Sequence, residues 1–164
     1  MTPKEIIDTY FYRENPFAVK TSAGFYVPVY RNVAEKDIVK HLNGGHIIGC
    51  YQSRSDETCK WSCIDFDDMK YENVANKIVA DIKAALPHEI VKDAMLERSN
   101  SKGFHVWLFF NKPIRTEDAH EMLTTILGFN FLEPGRSFKI DIFPRSPHLS
   151  GKRVGWLVRL PMNL

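Results

Sequence analysis

The stretch Lys60-Trp61-Ser62-Cys63-Ile64-Asp65-Phe66-Asp67-Asp68 decides how the rest of the chain is read. Its aromatic and aliphatic residues favour a strand over Lys60 to Asp67, and in a strand residues i and i+2 share a face. Asp65 and Asp67 therefore project together, while Ile64 and Phe66 turn to the other side, toward a core. Neighbouring carboxylates raise each other's pKa unless a cation sits between them. Hard divalent ions take such oxygen ligands. Asp is also common where a strand ends in solvent, so an isolated Asp-x-Asp does not choose between a metal site and a turn.

Working outward, Tyr71 to Leu86 reads as a helix, with Val74, Ile78 and Ile82 four apart and Pro87 ending it. Asp93 to Ser99 reads as a strand, Asn100-Ser101-Lys102-Gly103 as a turn, and Phe104 to Phe110 as the returning strand. Thr116 is placed to cap a second helix whose first turn carries Glu117 and Asp118. Its apolar face is Ala119, Met122, Leu123, Ile126 and Leu127, and Gly128 is expected to stop it. Phe138 to Phe143 is a strand. The order is β-α-β-β-α-β, so the expected class is α+β with a split βαββαβ (RRM/ferredoxin-like) core. In the strand order usual for that pattern the first strand is central, between the third and fourth. Asp141, in Ile140-Asp141-Ile142, then neighbours Asp65, and three carboxylates on one face are costly without a cation. The turn from Ser99 into Phe104-His105 offers backbone N–H groups, hydroxyls, an ammonium and an imidazole, which suits phosphate. Taken singly, it is equally a hairpin turn with a surface Lys and a His at the core edge.

Before this core, Met1 to Arg13 and Glu35 to Leu42 read as helices, Ala18 to Arg31 as a hairpin, and His46 to Tyr51 as a strand. The expectation is one domain, 1–164, with an N-terminal αβ module (1–58) packed on the RRM-like core (59–164). A last strand, Gly155 to Leu160, falls in the latter. A chain of 164 residues with 44% hydrophobic and 26% charged residues is long enough to bury one core unaided. Lys and Arg total 22 against 20 acids, for a net charge of +2, which excludes a strongly basic tail but not a local basic groove. No apolar run approaches the ~20 residues of a membrane helix, the N-terminus lacks the apolar core of a secretory signal, and three cysteines do not make a disulfide framework. A cytoplasmic protein without a membrane partner is expected.

Three other sets of residues bear on function. His46, Cys50, Cys59 and Cys63 lack a zinc-knuckle spacing. Phe25, Tyr26, Tyr30 and Tyr51, interleaved with Lys20, Arg31 and Arg54, would stack bases if exposed, but most read as core. Lys139, Arg145, Lys152, Arg153 and Arg159 concentrate positive charge around and after Asp141.

Together, Asp65-Phe66-Asp67, the turn from Ser99 through Gly103-Phe104-His105, and Ile140-Asp141 resemble the catalytic core of the archaeo-eukaryotic primase superfamily, the primase-polymerases. That family shows an Asp-x-Asp strand, a Ser/Gly/Lys-rich turn into Gly-x-His, and a hydrophobic-Asp strand, in that order. The flanks His41-Leu42-Asn43-Gly44, Ile48-Gly49-Cys50-Tyr51, His105-Val106-Trp107 and Leu157-Val158-Arg159-Leu160-Pro161 look like its helicase-fused and CRISPR-associated branch. The resemblance runs from about Tyr26 to Asn163.

It implies a DNA primase/polymerase that joins NTP or dNTP to a 3′-hydroxyl on a single-stranded DNA template. Asp65, Asp67 and Asp141 would hold two divalent ions, Mg²⁺ or Mn²⁺, which bridge the triphosphate and activate the attacking hydroxyl. His105 would contact the nucleotide phosphates, assisted by Lys102, Gly103 and either Ser99 or Ser101. Arg159 matches a basic position that neutralises triphosphate, and His41 matches a position that touches phosphate. Gly103 departs from the branches that carry serine two residues before the histidine. A primer would be a further partner, and helicase, helical primase or CRISPR partners would lie outside this chain. The resemblance suits a prokaryotic, viral or plasmid context and a domain excised from a longer protein. The alternatives are a non-catalytic RRM-like nucleic-acid-binding module, which needs exposed aromatics on the central strands, and another palm-like enzyme such as a nucleotidyl cyclase or nuclease.

Overall fold

Strand periodicity and two amphipathic helices build the part of the chain that follows Asp56. The computed structural model describes residues 1–13, 15–85, 89–99, 103–130, 132, 139–149 and 154–161. Among them are four α-helices and eight strands: α1 (Pro3–Tyr10), β1 (Phe17–Lys20), β2 (Tyr26–Val29), α2 (Glu35–Leu42), β3 (Ile48–Tyr51), β4 (Thr58–Phe66), α3 (Glu72–Ala85, after a 3₁₀ turn at Met69–Tyr71), β5 (Val91–Ser99), β6 (Gly103–Arg115), α4 (Thr116–Phe129), β7 (Ile140–Phe143) and β8 (Leu157–Arg159). The protein is α+β, with two antiparallel four-stranded sheets. Two compact units result: Met1–Asp56 with Leu149–Leu164, and Glu57–His148.

In the second unit the strand order is β5-β6-β4-β7, with β4 between β6 and β7 as the sequence pattern predicts. Ile64 and Phe66 of β4 and their register partners form the core: Ile64 faces Val106 and Ile142 across the ladder, and Phe66 faces Phe104 and Ile140. These pack with Ile78 and Ile82 of α3 and Leu123 and Leu127 of α4. Each such side chain, fully buried, contributes about 1.5–3 kcal/mol. Asp65, between Ile64 and Phe66, lies on the opposite face.

Several boundaries differ from expectation for identifiable reasons. Thr116 does not cap α4; Arg115 is the cap residue, without a side-chain bond. The Thr116 N–H and Oγ1 instead donate to the Glu57 carbonyl at 2.7 and 2.8 Å, pinning Glu57 at a left-handed φ of 57°. Gly128 does not stop the helix, which runs on to Phe129. The sixth strand extends through Pro113 to Arg115, because β5 pairs only as far as Phe110 and the ladder to β4 is irregular between Cys59 and Trp61. A proline costs no ladder hydrogen bond there.

In the first unit the order is β2-β1-β3-β8. The last strand was expected in the 59–164 core; it pairs instead with β3, Gly49 opposite Arg159 and Cys50 opposite Val158. The open edge of β3 and the burial of Val158 and Leu160 account for this, so the second unit ends at His148 rather than at the C-terminus. Thr2 and Glu5 close a reciprocal capping box on α1. Ala34, at the start of α2, has no side-chain acceptor, so only half of that device forms there: Asp37 Oδ2 accepts the Ala34 N–H at 2.9 Å. The same carboxylate binds the Arg31 guanidinium at 2.7 and 2.8 Å, which holds Asp37 below the usual carboxylate range.

Candidate active site

Antiparallel register lines up four ionisable side chains in one row across the second sheet. Glu97 of β5 stands opposite His105 of β6, His105 opposite Asp65 of β4, and Asp65 opposite Asp141 of β7. Directly opposed residues share a face, so the row lies on the side away from α3 and α4. His105 is buried; its Nδ1–H donates to Glu97 Oε2 at 2.8 Å, and its Nε2 faces Asp65 Oδ1 at 3.4 Å. Burial opposes the charged imidazole, but the hydrogen bonds and negative charge of Asp65 and Glu97 outweigh it, raising the pKa from 6.5 to about 9. Glu97 Oε2 also accepts the Trp107 indole N–H at 2.9 Å, and Trp107 packs edge-on against both His105 and Trp61.

The other end of the row is more open. The Asp65 and Asp141 side chains are 23% and 34% exposed. Arg145 donates to Asp141 Oδ2 at 2.7 Å while lying over the Phe143 ring. Asp67 sits one residue beyond β4, exposed, and its N–H donates to the Lys139 carbonyl at 2.8 Å. Asp68 takes the Lys139 ammonium at 2.7 Å, and that bond holds its pKa below the carboxylate norm. Among the described residues, no three His, Cys, Asp or Glu side chains are gathered as a metal site. The structure thus makes Asp65 and Asp141 register neighbours without clustering all three carboxylates. As donors the facing pair suits one hard divalent ion, with Asp67 close by in sequence at the strand end.

Gly103 closes the β5–β6 hairpin opposite Ser99. A Cβ there would stand 1.6 Å from the Phe66 carbonyl oxygen, so the close approach of β6 to β4 excludes the serine seen in other branches. Ser101 and Lys102, and with them most of the expected phosphate-binding turn, lie outside the described residues, as do Lys152 and Arg153.

The remaining expected residues belong to the first unit. Arg159 is on β8, and its charge partly offsets the burial that raises the Tyr26 phenol pKa. His41 is fully buried. Its Nδ1 accepts the Ile48 N–H at 3.1 Å and its Nε2–H donates to the Pro161 carbonyl at 3.0 Å, leaving no ring nitrogen for phosphate. It ties the end of α2 to β3 and to the chain after β8. The three cysteines are buried within strands and form no disulfide among the described residues. Of the aromatics weighed for stacking, Phe25 and Tyr30 are largely exposed, Tyr26 is half-buried and Tyr51 is buried.

Glu97, Trp107 and Arg145 were not singled out for this role by sequence reasoning. A signal for Glu97 existed: a hairpin closed by Ser99 and Gly103 must pair residue 97 with residue 105.

No helix among the described residues is long and apolar enough to cross a membrane. No curated protein matches the chain. The family model for the archaeo-eukaryotic primase domain of TOTE conflict systems matches residues 14–164, which is nearly the whole chain. The chain therefore belongs to the archaeo-eukaryotic primase domain family of TOTE conflict systems.

Proposed function

We propose that the protein is a template-dependent nucleotidyltransferase, a DNA primase/polymerase that joins NTP or dNTP to a 3′-hydroxyl on a single-stranded DNA template. The observation that carries this reading is the register pair Asp65–Asp141 with His105 in the same row, in a chain of the primase family. The element order β4-α3-β5-β6-α4-β7 and the central position of β4 support it. Asp65, Asp141 and Asp67 are the residues that would hold Mg²⁺ or Mn²⁺, two ions in all. Bound there, the ions supply charge neutralisation and activation of the attacking hydroxyl.

The chain's own residues do the rest. Glu97 and Trp107 fix the imidazole plane, so His105 Nε2–H is presented along the row, where a phosphate oxygen is a natural acceptor. Ser99 and the Gly103 backbone border the turn that carries Ser101 and Lys102, which we assign to the triphosphate, as we do Arg159. A helicase, helical primase or CRISPR component remains the kind of partner that we assign to the surrounding system. The RRM-like binding-module alternative draws little support from this sheet, since Trp61 and Trp107 are fully buried and cannot stack on bases, and the partly exposed Phe109 is stacked on Trp107.

The test is a gel assay with single-stranded template, with and without annealed primer, labelled NTPs or dNTPs, and Mn²⁺ or Mg²⁺. Incorporation should fall at least about a hundredfold in Asp65→Ala and Asp141→Ala, as expected when a group that stabilises transition-state charge is removed. Incorporation by those variants at the wild-type rate would overturn the proposal. A cyclic product from nucleotide alone would identify a cyclase instead.

A further inference from the structure

The helix-covered face of the second unit carries a feature unrelated to the carboxylate row. The third helix packs on β5 and β6, and α4 packs on β4, β6 and β7, leaving a trough between them. This groove encloses about 540 Å³. Its floor and walls include Ile82, Met122, Ile126 and Phe129. Phe129 is 81% exposed, an unusual state for a phenyl ring beside an apolar groove. The rim is acidic: Asp81 on α3, and Asp118 and Glu121 on α4. The nearby cation Lys77 is engaged with Asp81 at 2.5 Å and with Asn130 Oδ1 at 3.3 Å.

We infer that this groove docks a basic amphipathic helix of a partner protein. An apolar trough between two helices accepts the ridge of a third, whose anchors recur at i, i+3 or i+4, and i+7. Three carboxylates against one ammonium favour Lys or Arg flanking that ridge, and disfavour nucleic acid and anionic lipid surfaces. The groove and the carboxylate row lie on opposite faces of one sheet, so docking leaves the row free. The inference stands independently of the proposed activity.

The test uses the full chain and a fluorescein-labelled peptide of about 18 residues, near 27 Å as a helix. The peptide is built of Leu and Lys, with Leu at i, i+3, i+4 and i+7; a twin carries Glu in place of every Lys. Fluorescence anisotropy should show saturable binding of the Lys peptide and at least about tenfold weaker binding of the twin, or about 1.4 kcal/mol. Phe129→Ser should weaken the Lys peptide to a similar degree, and Asp81→Lys/Glu121→Lys should reverse the preference. All three positions are exposed, and circular dichroism checks that each variant stays folded. Equal affinity for both peptides, or indifference to these substitutions, would overturn the inference. So would concentration-dependent dimerisation in sedimentation velocity that Phe129→Ser abolishes, because a second copy would then be the occupant.

Discussion

A single oxygen, Glu97 Oε2, receives both the His105 imidazole and the Trp107 indole N–H groups. Replacing Glu97 with Ala leaves two buried donors unpaired, so stability should drop by about 2 kcal/mol or more. Glu97→Gln keeps an oxygen for both donors but removes the charge beside the imidazole. Its thermal midpoint should stay within a few degrees of wild type while the nucleotide KM rises several-fold with kcat less affected. An unchanged KM in Glu97→Gln would deny Glu97 a positioning role. The parity of the Asp-x-Asp stretch and the place of Asp141 were legible from the residues themselves, because a strand leaves only two faces to choose from. Their electrostatic partners were harder to see. Arg145 reaches Asp141 from beyond the strand end, and the direction of such a side chain depends on the turn that carries it. His41 shows what a motif match leaves out: its ring bonds the backbone of the first unit, joining Ile48 and Pro161.

At the scale of elements, Gly103 shows why the hairpin between β5 and β6 cannot be redecorated freely. The phantom Cβ meets a carbonyl of β4, not a flexible side chain, so relief requires moving a strand. Gly103→Ala should cost about 2–3 kcal/mol, the upper part of the range for overpacking, and lower amide-exchange protection along β4 and β6. A loss under about 0.5 kcal/mol, as at an ordinary surface site, would contradict the close approach. A second element-level expectation concerns α2. Asp37 has a folded-state pKa below its unfolded value of about 3.9, so its contribution to stability is present above that pH. It is lost as pH falls through the folded-state value. Asp37→Asn should therefore lose about 1 kcal/mol at pH 7, and the gap to wild type should close as the solution is acidified below about pH 4, measured as thermal midpoint against pH. A gap that persists at low pH would mean that the Arg31–Asp37 pair is not its source. Helix and strand identities were readable from apolar spacing throughout. Ends were less so: Thr116 looks like a cap by type, but the Glu57 carbonyl claims its hydroxyl through a contact between residues far apart in sequence.

For the whole molecule, the metal role proposed for Asp65 and Asp141 predicts coupling between divalent ions and folding. If ions bind only the folded chain, occupancy at about a hundred times the dissociation constant stabilises it by about 2.7 kcal/mol. Calorimetry in Mn²⁺ and in chelator should show that rise in wild type and none in Asp65→Asn/Asp141→Asn; equal rises in both would place the ions elsewhere. In the sequence, the Asp-x-Asp strand opens a new pattern just after the polar turn Ser53 to Glu57, close to where the first unit breaks off at Asp56. The second boundary was hidden, because β8 is three residues long and its partner lies about a hundred residues earlier.

That distant pairing has a consequence for birth on the ribosome. The second unit is continuous in sequence, so all four of its strands are synthesised, and leave the exit tunnel, ahead of β8. With elongation at about 5–20 residues per second, β3 waits on the order of 5–20 s for its last neighbour. During that interval the nascent chain carries one sheet able to close and another with an unpaired edge. Synthesis thus favours a fixed sequence of events, the inserted unit maturing first and the outer one sealed by the arrival of Leu157 to Arg159.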